Sequence, residues 1–275
     1  MTPAGVPGFM SVVRVEEAVD RVAIGKIVCD PVDYEQAVER IRGFVRSERP
    51  HLVLTPNLTQ LRQASRMPEV ASAYRSASMS TPDGWPIAAL VGRLARRRGQ
   101  RRVTGSDLTP LLCREQFRIG LIGGRGDSAI RAAERLRGVN RDLDVALIEL
   151  ARPEEVDGPA SREALLQRIV DADLDLIFLG VGVPKQERLA LELMPRLDHG
   201  VVLCVGATID FLAGAVRRSP MWVQNANLEW AYRIALEPRR LVGRYAVALP
   251  YFLWEATRSM LRAQVGRRRA WAADA

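Results

Sequence analysis

Five short runs of mostly apolar residues constrain the fold of this chain more than any other feature. They occupy residues 51–57, 117–124, 144–150, 174–182 and 200–207. A strand that is apolar along most of its length is buried on both faces, which is typical of a parallel sheet covered by helices. The segments between the runs carry apolar residues at helical spacing. The sequence therefore predicts an α/β fold with a Rossmann-like, mostly parallel sheet, helices on both faces and a C-terminal helical appendage.

Four polar loops follow these predicted strands, at the place where a ligand is expected to bind. Their sequences are TPN at 55–57, GGRGD at 123–127, GVGVPKQE at 180–187 and GATIDF at 206–211. The carboxyl ends of parallel strands lie at one edge of a sheet, so the loops that follow them converge there. The residues themselves give no stronger indication of a site.

Two of these loops contain residues that suit a phosphate. Gly123 and Gly124 lie before a predicted helix, where backbone amides can receive a diphosphate, although a plain tight turn explains them equally well. Their spacing is not the GxGxxG of dinucleotide-binding proteins, and Glu149 is the nearest candidate for a ribose-binding acid. Lys185 is one of only two lysines in the chain, and its position suits a phosphate or a sugar hydroxyl.

The stretch STPDGWP, residues 80–86, places Asp83 directly before an apolar helical stripe. Read locally, Asp83 is a helix N-cap, and a carboxylate in that position is expected to have a lowered pKa. His51 and His199 each precede a predicted strand and lie away from the polar loops, so a general base should be a carboxylate. The two roles, cap and base, are compatible in position but compete for the same oxygen atoms.

The net charge of +8 is concentrated near the C-terminus, within residues 217–275. Arginines alternate there with tryptophans and tyrosines, which indicates an anionic partner, either a membrane surface or a nucleic acid. Pro238 and Pro250 predict breaks between three helical pieces. We expect three regions: a flexible segment at 1–22, a Rossmann-like core at 23–216 and a basic, aromatic-rich helical appendage at 217–275.

The three cysteines predict neither a metal site nor a disulfide framework. Cys29, Cys113 and Cys204 are scattered and have apolar neighbours, so we expect buried small side chains and a reducing compartment. No apolar run reaches the length of a spanning helix, and the first residues do not resemble a signal peptide.

Six motifs, in order along residues 22 to 250, make the chain resemble the WecG/TagA/CpsF family of bacterial glycosyltransferases (glycosyltransferase family 26). They are TPN at 55–57, PDG at 82–84, RVTGSDL at 102–108, GVPKQE at 182–187, GATIDFLAGAVRRSP at 206–220 and LEWAYRIALEPRRLVGRY at 228–245. The chain departs from the family pattern at Thr208 and Ile209, and residues 250–275 extend beyond the resemblance.

The resemblance implies an inverting transfer of a sugar from a UDP-sugar to a polyprenyl-diphosphate-linked glycan, in cell-wall or exopolysaccharide synthesis. It favours an N-acetylmannosamine-type donor and implies neither a metal nor another cofactor. Asp83 matches the proposed catalytic base, and Thr55 and Asn57 match the polar pair that lines the same pocket. The expected substrate-binding residues are Gly123, Gly124, Lys185, Gln186, Glu187, Asp210, Arg233, Arg240 and Arg244.

The expected partners are therefore a UDP-sugar, the lipid-linked acceptor and an anionic membrane surface, without nucleic acid. The expected location is the cytoplasmic face of the cell membrane, and a homo-oligomer is left open. Two other functions also stay open at this point. One is a nucleic-acid-binding module that uses the basic tail, and the other is an NAD-dependent oxidoreductase that uses the glycine-rich turn.

Overall fold

The computed structural model describes residues 21–273, apart from the side chains of residues 225, 240 and 266–273. Its centre is a sheet of six parallel strands: β3 (His51–Leu54), β4 (Met79–Ser80), β5 (Arg118–Gly123), β6 (Asp144–Glu149), β7 (Leu176–Gly180) and β8 (Val201–Cys204). Their order across the sheet is β4-β3-β8-β7-β5-β6. The predicted parallel α/β fold is thus confirmed. The strand β4 was not predicted, because its two residues are too few to give a periodic pattern.

An antiparallel hairpin precedes the sheet and lies outside it. Its strands β1 (Val22–Ile24) and β2 (Ile27–Cys29) pair across a turn at Gly25, whose φ of 59° falls in the left-handed region that favours glycine. The stretch VAIGKIVCD, residues 22–30, predicts a short strand or a hairpin arm, and the structure shows the hairpin. The predicted flexible segment at 1–22 lies almost wholly outside the described residues.

Alternating strand residues divide the core into two apolar layers. Within β7, Ile177 and Leu179 belong to one layer, whereas Leu176 and Phe178 belong to the other. The first layer is covered by α2 (Leu58–Arg66), α3 (Pro68–Ser76), α4 (Trp85–Leu94), α7 (Pro153–Asp157), α8 (Pro159–Asp171) and α9 (Lys185–Leu193). The second is covered by α1 (Tyr34–Val45), α5 (Gly105–Leu112), α6 (Ser128–Val139) and α10 (Thr208–Ala213). Helices therefore cover both faces, as the continuous apolar strands require.

Three helices complete the chain: α11 (Met221–Asn225), α12 (Glu229–Leu236) and α13 (Pro238–Ala273). The predicted break at Pro238 is present, but the one at Pro250 is wrong, because α13 continues through it. A proline removes one hydrogen bond from a helix, and here the packed residues on either side hold the helix together. Ala248 and Phe252 are both buried in the first apolar layer.

The helix α13 is integrated into the core rather than loosely attached to it. Its buried face joins the cluster that contains the hairpin residue Ile24, and Glu255 packs close to Gly25. The boundary between residues 216 and 217 therefore stays a prediction. Within the described part of the chain, no helix combines the length and the apolar character needed to cross a bilayer.

Candidate active site

The carboxyl ends of β3, β4 and β8 lie side by side at one edge of the sheet. Leu54, at the end of β3, pairs with Ser80 of β4 and Cys204 of β8. The loop after β4 is held against the loop after β3, because the amide of Asp83 donates to the carbonyl of Pro56 at 3.0 Å. This arrangement brings the TPN and PDG motifs together.

Asp83 is half-buried and, among the described residues, no group donates a hydrogen bond to its carboxylate. The predicted role as N-cap of α4 is wrong. The capping residue is Gly84, with a φ of 102°, and the helix begins at Trp85. Pro86 lacks an N–H group, so one of the amides that a cap would bind is missing. The carboxylate is therefore not occupied by the backbone of the helix.

The environment of Asp83 raises its pKa to about 7, opposite to the expected direction. Burial is the largest cause, and the nearby carboxylates of Glu229 and Asp107 act in the same direction, against the charges of Arg102 and Arg233. The expectation of a lowered pKa assumed hydrogen bonds from helix amides, which this carboxylate does not receive. A carboxylate with a pKa near neutrality suits a general base.

Thr55 and Asn57 line the same strand ends, but both also have structural partners. The hydroxyl of Thr55 donates to the carbonyl of Cys204 at 3.1 Å and so joins β3 to β8. Asn57 caps α2, because its side-chain oxygen accepts from the Thr59 amide at 2.9 Å. The position of Thr55 directly before Pro56 predicts a helix cap, and this prediction is wrong, because Asn57 takes that role. The roles of Thr55 and Asn57 in catalysis stay predictions.

Two ion pairs attach the C-terminal segment to the loop and helix beside Asp83. Arg102 binds Glu229, the first residue of α12, and Arg218 binds both carboxylate oxygens of Asp107 at 2.6 and 2.7 Å. The predicted site residues did not include these four, although all lie in the motifs that carry the family resemblance. The presence of arginines and carboxylates in these motifs is the sequence signal that could have identified the four residues.

Asp107 is further fixed by neutral donors. Tyr34 and Thr104 donate their hydroxyl protons to it at 2.8 and 2.9 Å. These hydrogen bonds and the Arg218 guanidinium lower the pKa of Asp107, although burial opposes them. The pKa of Asp107 is therefore shifted in the opposite direction to that of Asp83.

The basic residues predicted to bind diphosphate differ in how near they lie to Asp83. Arg233 is half-buried, lies 5.4 Å above the ring of Phe211 and is close enough for its charge to lower the pKa of Asp83. Arg244 is exposed, and its neighbour Tyr245 packs at a tilt against Trp230. The side chain of Arg240 lies outside the described residues.

The glycine-rich turn after β5 is tightly packed. A Cβ atom on Gly123 would lie 2.7 Å from the Gly180 carbonyl carbon, and one on Gly124 would lie 2.8 Å from Ile209. Asp210 accepts a hydrogen bond from the amide of Arg125 at 2.7 Å. Close packing thus explains these glycines structurally, and the carboxylate of Asp210 occupies one of the amides that would receive a diphosphate.

The PKQE motif is also engaged in contacts within the protein. The amine of Lys185 binds the carboxylate of Asp157 at 2.6 Å. Gln186 accepts from the Gly206 amide at 3.1 Å and donates to Glu187 at 3.0 Å. Glu187 is fully buried, which raises its pKa to about 7. Substrate binding by these residues stays a prediction.

The histidines and cysteines lie where the sequence predicted. His51, at the amino end of β3, contacts the hydroxyls of Ser47 and Ser78, and His199 pairs with Asp173. All three cysteines are buried and unpaired. The charged groups described beside Asp83 are the carboxylates of Glu229 and Asp107 and the guanidinium groups of Arg102 and Arg233.

Comparison with known families identifies the family to which the chain belongs. The model of the glycosyl transferase WecG/TagA/CpsF family matches residues 22–266, which include all the site residues described above. Members of this family take part in cell-wall polymer synthesis, and the family implies a sugar-nucleotide donor and a glycan acceptor. Because the match spans most of its length, the chain belongs to the WecG/TagA/CpsF family of glycosyltransferases.

Proposed function

We propose that the protein transfers a sugar from a UDP-sugar to a polyprenyl-diphosphate-linked glycan, with inversion at the anomeric carbon, and that Asp83 is the catalytic base. The observation that carries this proposal is the state of the Asp83 carboxylate. It lies at the carboxyl edge of the sheet, receives no hydrogen bond from the described residues and has a pKa of about 7. An N-acetylmannosamine-type sugar is the favoured donor.

The reaction is a single displacement. Asp83 takes the proton of an acceptor hydroxyl while its oxygen bonds to the anomeric carbon, and the bond from that carbon to the diphosphate breaks. Negative charge then develops on the departing UDP, where fixed cations stabilise the transition state. Arg233, whose charge lowers the pKa of Asp83, is one such candidate, with Arg240 and Arg244 along the next helix, and no metal ion is part of the proposal.

The acceptor lipid requires the protein to work at a membrane surface, and we propose the cytoplasmic face. The C-terminal helices support this with exposed apolar side chains beside arginines. Trp222, Trp254 and Leu253 are 69%, 65% and 57% exposed. Such a surface suits the interface of an anionic leaflet. Replacing Leu253 and Trp254 by aspartate should abolish cosedimentation with vesicles that contain phosphatidylglycerol, whereas equal binding by the variant would contradict membrane docking by α13.

The transfer reaction is tested with a panel of UDP-sugars and a short-chain lipid-diphosphate glycan as acceptor. We expect UDP release with one donor, dependent on the acceptor, and a product with the inverted anomeric configuration. Release of another nucleotide, or retention of configuration, would contradict the proposal. Asp83→Asn protein is the matched control for hydrolysis that does not depend on the proposed base.

The two other functions have less support. Glu149, the candidate ribose-binding acid of an NAD enzyme, is bound by Arg168 at 2.5 and 3.1 Å. The arginines of the C-terminal helices alternate with exposed apolar side chains, which suits a membrane better than a nucleic-acid backbone.

A further inference from the structure

We propose that Glu229 is a positioning residue that engages the Arg102 guanidinium and thereby keeps the Asp83 carboxylate without a cationic partner. The catalytic meaning of this inference rests on the proposed function, but the test below does not require substrate. Glu229 touches none of the reacting atoms, and besides the direct effect of its charge on the pKa of Asp83 it acts through Arg102.

The pair between Arg102 and Glu229 is well placed for this role. Arg102 lies in the loop before α5, Glu229 opens α12, and each side chain is only 17% exposed. A second nitrogen of the guanidinium donates to the Gln224 side chain at 3.4 Å. The C-terminal segment therefore supplies two acceptors to Arg102, whose charge is felt at Asp83.

Each arginine around Asp83 has a partner other than Asp83. The charged groups that face this carboxylate are Glu229, Arg102, Arg233 and Asp107. Arg102 binds Glu229, Arg233 lies over the ring of Phe211, and Asp107 is held by a bidentate pair with Arg218. Tyr245 also lies near this group, because Asp83 and Glu229 both affect its pKa. The cluster therefore contains three arginines, and none of them donates to Asp83.

This arrangement has a chemical consequence for a general base. A direct pair with an arginine lowers the pKa of an aspartate by about 1 to 3 units. Such a carboxylate is a weaker base, and it must release its partner before it takes a proton. With Glu229 bound to Arg102, the Asp83 carboxylate stays unpaired, and burial together with the charge of Glu229 raises its pKa to about 7.

The test is a direct titration of Asp83 in the full chain, without substrate. Aspartate labelled with ¹³C at the carboxyl group is followed by NMR between pH 4 and 9, and the Asp83 signal is assigned with the Asp83→Asn variant. We expect the Asp83 carboxyl to titrate with a midpoint near pH 7 in the wild type. In Glu229→Gln its proton affinity should fall at least about tenfold, because Arg102 is then free to pair with Asp83.

A double-variant comparison separates two effects of Glu229 on Asp83. One is the effect that acts through Arg102, and the other is the direct effect of the Glu229 charge. In an Arg102→Gln background, Glu229→Gln should change the Asp83 midpoint by much less than in the wild type. An equal change in both backgrounds would overturn the proposal, and so would an unchanged midpoint in Glu229→Gln alone. Glu163→Gln is the matched control, because Glu163 forms an exposed pair with Arg196 and should leave Asp83 unaffected.

A conservative variant keeps the test valid if Glu229→Gln fails to fold. Glu229→Asp retains the carboxylate and should titrate like the wild type, and a large fall in its Asp83 midpoint would also contradict the proposal. The titration reports on Asp83 even if no sugar transfer is found, so failure of this inference and failure of the proposed function are distinguishable. If transfer is found, the acidic limb of the pH profile of kcat/KM should shift in the same direction as the Asp83 midpoint.

Discussion

Three charged side chains on the two sides of the carboxyl edge of the sheet, Lys185 and Asp210 on one side and Asp83 on the other, differ in how the protein holds them. Beyond β5 and β7, Lys185 and Asp210 each bind a partner inside the protein, at 2.6 and 2.7 Å. Beyond β3 and β4, the Asp83 carboxylate receives no hydrogen bond from the described residues. Asp83 and Asp210 are the same type of residue, but Asp210 lies in the first turn of α10 whereas Asp83 lies in the loop before α4. We infer from this difference that Asp83, to which no described group donates, is the candidate for chemistry among these three residues.

The largest loss of activity is expected for substitution of Asp83. Asp83→Asn removes the base while keeping the size of the side chain, so kcat should fall by about 10³-fold, within the range typical of a lost general base. The measurement is UDP release with the lipid acceptor, with Glu163→Gln as the control for an exposed carboxylate. Turnover within tenfold of the wild type would remove Asp83 from the mechanism.

Substitution of Arg233 tests whether a cation near Asp83 stabilises the leaving group. Arg233→Gln should lower kcat by about 10²-fold, because one fixed cation near the developing charge is lost. Its charge reaches Asp83, which places it at the reacting end of the site. The control is Arg131→Gln, since Arg131 pairs with Asp127 on the exposed side of α6. A change in KM alone would assign Arg233 to ground-state binding instead.

Glu187 lies on the same side of the sheet edge as Lys185. It is a buried carboxyl, and its raised pKa makes the stability of the fold depend on pH. Its folded pKa is about 7, above the ordinary value of 4.5, so its contribution to stability is present below pH 4.5 and is lost as the pH rises to 7. The gap corresponds to roughly 3 kcal/mol as an upper bound. Glu187→Gln should remove this part of the pH dependence.

Urea unfolding at pH 5 and pH 8 measures the effect. The loss of unfolding free energy between these two pH values should be smaller in Glu187→Gln than in the wild type, and Asp83 should account for part of what remains. An unchanged loss would show that Glu187 is already ionised in the folded protein at pH 5.

The smallest effect is expected for Lys185. Its amine is bound to Asp157 in a partly exposed pair, so Lys185→Ala should cost about 0–1 kcal/mol of stability. We expect kcat/KM to change less than threefold with the UDP-sugar donor, compared with Lys26→Ala as the control. A loss above 100-fold would place this lysine on the donor and break the contrast between the two sides of the sheet edge.

The sequence predicted the architecture better than the site. The continuous apolar runs identified five of the six parallel strands, whereas β4 has only two residues and gave no signal. The cap at Asp83 was wrong, because local reading did not anticipate the glycine at the helix start. The pairs between Arg102 and Glu229 and between Arg218 and Asp107 join residues 127 and 111 positions apart. Such pairing depends on tertiary packing and has no local pattern.

The identity of the base is the central claim, and the pH dependence of kcat/KM tests it most directly. In the wild type, kcat/KM should rise with pH through a midpoint near 7 and then level off, because the base must be unprotonated and the pKa of Asp83 is about 7. The residual activity of Asp83→Asn should lack this limb between pH 5 and 9. A limb with the same midpoint in Asp83→Asn would show that another group is the base.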